Sequence, residues 1–285
     1  MEDGVYVERR GGVARITIDR EARRNAVDAA MSATIDRAME EAESDAAIRC
    51  VLLTGAGTRA FCAGMDLKEA AEKGAGLGLI PGRGFAGITE RRRAKPLIVA
   101  VNGAAVAGGF EIVLAADIVI AADHAVFGLA EVKRGLFAFA GGIQRLARAV
   151  PRATALGLIL TGEPLSARRI WELGLVTEVL PGPDVLPRAT AIAETIAGYD
   201  ADTVRRAKLL HDMAADAPIH ESLRFGRALG EETLGLAASR EGIAAFVGRK
   251  PKAISSQMDS SDDSEIAVDQ RSGAGDPMQL DRKPL

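Results

Sequence analysis

The chain has 285 residues, 48% of them hydrophobic, enough to fill a sizeable core, and a formal net charge of −3 that offers no general attraction to nucleic acid or an anionic membrane. Two cysteines, Cys50 and Cys62, are too few for a secreted disulfide framework and lack zinc-site spacing. Residues 1–10 contain no apolar leader and no apolar run approaches the ~18 residues of a membrane span, so a globular, cytoplasmic protein is expected.

Residues 5–8 and 13–18 alternate around Arg10-Gly11-Gly12, which predicts an N-terminal hairpin, and residues 19–25 read as a polar loop. Asp28 is a fair N-cap for an amphipathic helix: Met31, Ile35, Met39 and Ala42 recur at helical spacing, with Asp36, Arg37, Glu40 and Glu41 on the exposed side. Cys50-Val51-Leu52-Leu53-Thr54 reads as a buried strand, and the order strand, strand, helix, strand indicates an α/β chain. Gly55-Ala56-Gly57-Thr58-Arg59-Ala60 fits a dinucleotide fingerprint. Its context fails, because Phe61-Cys62-Ala63-Gly64 interrupts the required helix and the expected acidic position falls at Glu72-Lys73-Gly74. A helix is predicted at 66–73, then a mobile loop or lid at 74–87. A second helix is expected at 88–94, with Arg91-Arg92-Arg93 on its solvated face.

Leu97-Ile98-Val99-Ala100-Val101, preceded by Pro96, is a β-branched run that reads as a strand, and Asn102-Gly103 breaks it. Gly108-Gly109 then precedes Phe110-Glu111-Ile112-Val113-Leu114-Ala115-Ala116, which has helix-forming composition. Bare N–H groups at the positive end of a helix dipole are a place to hold a developing oxyanion, with the Glu111 carboxylate beside it. A tight turn and a dipole-compensating surface glutamate explain the same residues. Further on, Gly141-Gly142 opens a helix to 150, and Pro151 starts another that runs to 161. Ser166 caps a third, a strand follows at 176–180, and helical segments fill 185–197, 201–214 and 219–238. Residues 254–285 contain no aromatic side chain and are expected to be disordered. His124, His211 and His220 are scattered without ligand spacing and no Gly-x-Ser-x-Gly occurs, so neither a metal site nor a serine triad is expected.

Seven blocks in order resemble the enoyl-CoA hydratase/isomerase (crotonase) superfamily over residues 5–252. They are Arg24-Asn25-Ala26-Val27; Ala60 through Lys68; Ala100-Val101-Asn102-Gly103 with Gly108-Gly109-Phe110-Glu111; Phe127-Gly128-Leu129-Ala130-Glu131-Val132; Gly141-Gly142-Ile143-Gln144-Arg145-Leu146; Leu160-Thr161-Gly162; and Gly174-Leu175-Val176. The resemblance implies a crotonase-like ββα spiral over 1–184, a helical region over 185–252 that serves assembly as a trimer or a dimer of trimers, and a tail over 253–285.

By the same resemblance the N–H groups of Met65 and Gly108 form an oxyanion hole, and Glu111 and Glu131 are the two carboxylates of a hydratase. Hydrating a double bond conjugated to a thioester needs a base for water and an acid for Cα, with charge gathering on the thioester oxygen. Glu111 is assigned chiefly to water and Glu131 to Cα, an assignment open to reversal. Arg24, Ala26, Ala63, Asp66, Leu67 and Lys68 are the expected contacts of the acyl-CoA substrate, with Arg23 a further candidate for its phosphates. No metal and no cofactor beyond the CoA of the substrate is implied. Gly128-Leu129-Ala130-Glu131 lacks the proline that often precedes the second glutamate, and Phe137-Ala138-Phe139-Ala140 replaces a Gly/Pro-containing loop, which points to a shaped acyl pocket. A double-bond isomerase, a carnitinyl-CoA-like dehydratase and a non-catalytic acyl-CoA binder are the alternatives.

Overall fold

The computed structural model describes residues 4–74 and 78–248. β1 (Val5–Arg10) and β2 (Val13–Ile18) form the expected antiparallel hairpin, with Ala14, Ile16 and Ile18 turned into the core. α1 (Ala29–Ser44) starts at Asp28, whose carboxylate accepts the Met31 N–H at 2.9 Å, and Met31, Ile35, Met39 and Ala42 are all buried.

From Cys50 onward the chain repeats one unit. β3 (Cys50–Gly55) is followed by β4 (Ala60–Cys62) and α2 (Leu67–Lys73). After a small hairpin of β5 (Leu79–Ile80) and β6 (Gly84–Phe85), β7 (Leu97–Val101) is followed by β8 (Ala104–Val106) and α3 (Gly108–Ala115). β9 (Ile118–Ala122) is followed by β10 (Val126–Gly128) and a 3₁₀ turn at Glu131–Arg134. Then come α4 (Gly142–Ala149), α5 (Arg152–Thr161), β11 (Leu165–Ser166), α6 (Ala167–Glu172), β12 (Glu178–Leu180), α7 (Gly182–Ala197), α8 (Ala201–Ala214), α9 (Ile219–Leu234) and α10 (Ala237–Val247).

The first strand of each unit joins a sheet of order β1-β2-β3-β7-β9-β12, parallel from β2 onward, and the second joins a sheet of order β11-β10-β8-β4. β3 and β7 are buried at every residue, which explains their unbroken apolar runs. α7 lays Val185, Ala189, Ala193 and Ala197, a spacing of four, against the larger sheet. A second unit begins at Glu241, within α10. Among the described residues no helix is long and apolar enough to cross a membrane.

Several expectations are corrected. Residues 88–90 form a turn and 91–94 are irregular rather than helical, and buried guanidinium groups bond the carbonyls of this stretch. Arg91 Nε donates to Gly87 O at 2.8 Å and Arg93 Nη1 to Ile88 O at 3.3 Å. The Arg91 and Arg93 side chains are only 5% and 6% exposed, so of the three arginines Arg92 alone is exposed as expected. Residues 78–87 of the supposed lid form the β5–β6 hairpin, tied to α1 by Ser32 Oγ donating to Gly78 O at 2.7 Å, while 75–77 lie outside the described residues. The last strand is confined to Glu178–Leu180, and the helix expected over 219–238 breaks at Gly235. The tail over 254–285 also lies outside the described residues.

Candidate active site

The smaller sheet determines where the site forms. β4, β8 and β10 are parallel neighbours, with Cys62 opposite Ala105, Ala105 opposite Phe127 and Val106 opposite Gly128. Their C-terminal ends therefore lie side by side, and the residues that follow are Met65, Gly108 and Glu131. Adjacent strands are ~4.8 Å apart, so amides that follow neighbouring strand ends lie close together. The isolated bridge between Val27 and Met65 uses Val27 N–H to Gly64 O and Asp66 N–H to Val27 O, both 2.9 Å, so the Met65 N–H points away from that pairing. Gly108 is the first residue of α3, and its N–H has no partner within the helix.

Ala107 sets the direction of that second amide. Its φ of 51° and ψ of −129° lie in a region that favours glycine and costs an alanine on the order of 1–3 kcal/mol. Its surroundings hold it there: its N–H donates to Gly128 O at 2.9 Å and its carbonyl accepts from Phe110 and Glu111 at 2.8 and 3.0 Å.

Met65, Gly108, Glu111 and Glu131 all line one cleft of about 420 Å³. Arg24, Ala63 and Leu67 share its wall. Arg24 is placed there by a left-handed turn over Arg24 and Asn25, pinned by the buried Asn25 amide, which donates to Ala60 O at 2.7 Å. Ala26, Asp66 and Lys68 are not part of the wall. Asp66 has other employment, since its carboxylate caps α2 through the Lys68 and Glu69 N–H groups and pairs with Arg20 at 2.7 Å. Lys68 is exposed on α2. The resemblance did not supply Leu79 and Phe85 of the β5–β6 hairpin, or Lys133, Arg134 and Leu136 after the second glutamate. Phe137 and Phe139, whose rings meet edge to face at 5.9 Å, complete the wall.

The two glutamates sit in different electrostatic surroundings. Burial raises the pKa of Glu111, opposed by the Gly142 N–H, which donates to Oε1 at 2.9 Å, by the Ala140 backbone and by Arg145. Burial pushes Glu131 up to about 7; its own backbone amide and Arg134 oppose this, and the Glu111 charge adds to it. Glu131 Oε2 is buried with no hydrogen-bond partner among the described residues, a poor place for a charge. Burial thus raises both carboxylates, and the Gly142 N–H on Glu111 Oε1, set against the unpartnered Oε2 of Glu131, separates their surroundings.

That separation has a stability signature. A folded-state pKa above the unfolded value means that the native chain binds more protons, so Glu131 destabilises the fold as pH rises from about 4 through about 7. Glu131→Gln is therefore expected to melt above the parent chain at pH 8 and level with it near pH 4. Differential scanning calorimetry at both pH values checks the sign.

The comparisons with known proteins address the family and the fold. The family described as enoyl-CoA hydratase/isomerase matches residues 8–257. A Dictyostelium discoideum protein named probable enoyl-CoA hydratase, mitochondrial, is 36% identical over 250 residues, covering 85% of this chain and 87% of that one. A crystal structure titled enoyl-CoA hydratase from Mycobacterium tuberculosis H37Rv superposes with a TM-score of 0.81 at 39% identity, covering 87% of this chain and 96% of that one. One titled carnitinyl-CoA hydratase from Mycobacterium avium gives 0.71 at 42%, with the same coverage. By fold, by matched length and by identity to its relatives, this chain belongs to the enoyl-CoA hydratase/isomerase family, the crotonase superfamily.

Proposed function

We propose that the protein is an enoyl-CoA hydratase that adds water reversibly to a 2-enoyl-CoA. The carrying observation is that Glu111 and Glu131 line one cleft with Met65 and Gly108, both carboxylates raised by burial and Glu131 to about 7. In this reading the two N–H groups hold the thioester oxygen, and ionised Glu111 takes a proton from water as its oxygen bonds to C3. The electron pair of the double bond moves toward the thioester oxygen as an enolate. Protonated Glu131 then delivers its proton to C2, and proton exchange with solvent resets the pair. Removing one such backbone donor typically costs about 10²–10³ in rate, so the amides carry a large share of the barrier reduction.

In this proposal Arg24, Ala63 and Leu67 contact the CoA portion, and CoA arrives as part of the substrate with no other cofactor. The protein works in a reducing compartment, a placement supported by two free, buried cysteines whose thiols burial pushes up to about 12. Assembly as a trimer or a dimer of trimers is supported by apolar side chains left exposed along α9, Ile219, Leu223 and Leu234 among them.

The name of the Mycobacterium avium relative makes a carnitinyl-type acyl group the second reading. Against it stand Arg24, Lys133 and Arg134 in the cleft wall, which disfavour a quaternary ammonium, while the Leu136, Phe137 and Phe139 side chains favour an uncharged acyl chain. Incubation with a panel of CoA thioesters tests the proposal. The expected product from 2-enoyl-CoA is 3-hydroxyacyl-CoA. Conversion of a 3-enoyl-CoA to its 2-ene without hydration indicates an isomerase, dehydration of carnitinyl-CoA alone supports the second reading, and no product from any thioester leaves a binder.

A further inference from the structure

Glu111 and Arg145 each approach one residue of the same bare two-glycine step of backbone. A Cβ placed on Gly142 would lie 2.9 Å from Glu111 Cγ and 3.0 Å from its Oε1. One placed on Gly141 would lie 2.1 Å from Arg145 Nη1 and 3.2 Å from its Cζ. The carboxylate and the guanidinium thus rest on consecutive glycines, at the start of α4, with no side chain between them. The guanidinium is anchored at its other end, where Nη2 donates to Thr89 O in the turns after β6. No carboxylate comes within ion-pair distance of Arg145 among the described residues, so its charge is shared between Glu111 on one side and Glu90 on the other.

We propose that Arg145 is a positioning residue that keeps Glu111 in its charged, proton-accepting form, acting across the Gly141-Gly142 step. It does so in two ways. Its packing on Gly141 fixes the turn that aims the Gly142 N–H at Glu111, and its positive charge lowers the energy of the carboxylate in a site that burial makes hostile to anions. An arginine suits this place because its guanidinium stays protonated when buried. Burial and the neighbouring Arg93 do pull its pKa down, while Glu111 and Glu90 raise it. From the far side of the cleft Glu131 and Arg134 also face the site, so the titration of Glu111 is coupled to that of Glu131.

The role rests on the hydratase reading, but its test does not require turnover. In full-length protein carrying ¹³C-labelled glutamate and Glu131→Gln as a common background, an infrared pH titration read as the difference from the added Glu111→Gln reports the Glu111 carboxylate without its coupled partner. Arg145→Gln is expected to move its midpoint up by about one pH unit, and Arg145→Lys to restore most of that shift. Arg145→Met, which removes the buried cation without leaving a polar head behind, provides a second neutral variant if Arg145→Gln fails to fold. In turnover assays the same Arg145 substitutions in the parent chain should move the acid limb of kcat upward with little change in KM. A Glu111 midpoint that stays in place in the folded neutral variants overturns the proposal and leaves Arg145 as a brace for the turn. A shifted midpoint in a protein whose parent chain hydrates no enoyl-CoA keeps the Arg145–Glu111 coupling and removes the hydratase reading instead.

Discussion

Glu111→Gln and Glu131→Gln are each expected to lower kcat for hydration by on the order of 10²–10⁴, with little change in ligand affinity. Glutamine keeps the size of the side chain and, at Glu111, an oxygen that accepts the Gly142 N–H, but it neither takes nor gives a proton. The two losses should not multiply. If Glu111 and Glu131 act on one water as a unit, the double variant should be little worse than the poorer single variant. A base that moves a proton between two carbons needs one carboxylate, so the corresponding loss in an isomerase would be confined to Glu131. Stopped-flow measurement of the loss of enoyl absorbance across the four proteins separates these outcomes.

Gly109→Ala is expected to damage both stability and rate, because at this position a helix lies directly on a strand. A Cβ on Gly109 would sit 2.1 Å from Cys62 O and 2.8 Å from the Cys62 carbonyl carbon, both main-chain atoms at the end of β4. No rotamer relieves that contact, so α3 must move away from β4. The Gly108 amide rides on α3 and Met65 follows β4, so the same displacement pulls the two proposed oxyanion donors apart. Overpacking of this kind costs about 2–3 kcal/mol, roughly 5–10 °C in Tm for a chain of this size. Hydration should fall by at least about 10², the cost of a lost donor. Gly157→Ala is the matched control: its Cβ would enter open space in α5, where alanine favours the helix by about 1 kcal/mol. Calorimetry should show opposite signs for the two substitutions.

What the sequence made legible was what local chemistry encodes. A glycine pair ahead of an apolar helix marks the start of α3, and the spacing of Met31, Ile35, Met39 and Ala42 marks the buried face of α1. Glu131 carries no local mark. It becomes a partner of Glu111 only because β10 pairs with β8 in parallel, which places the residues after Gly128 beside those after Val106. β4, β8 and β10 are three residues long, too short for any periodicity, so the sheet that builds the site was not visible from patterning. Resemblance to a known family bridged that gap for Met65, Gly108 and Glu131. It did not help at residues 88–94, where helix-compatible composition hid two arginines whose side chains are used inside the protein, or at Phe85, hidden in a glycine-rich stretch that folds back as a hairpin against the cleft.

The central claim assigns opposite protonation states to two glutamates, and the pH dependence of kcat/KM in three proteins addresses it directly. Activity in the parent chain should follow a bell, failing on the acid side as Glu111 gains its proton and on the alkaline side, from about pH 7, as Glu131 loses its own. The limbs are macroscopic values of a coupled pair, yet each should depend on one residue. Residual activity in Glu131→Gln should lose the alkaline limb and keep the acid one, and Glu111→Gln should do the reverse. Limbs that vanish in the opposite variants would contradict the assignment by exchanging the roles, and a bell that survives intact in both would remove these carboxylates from the chemistry.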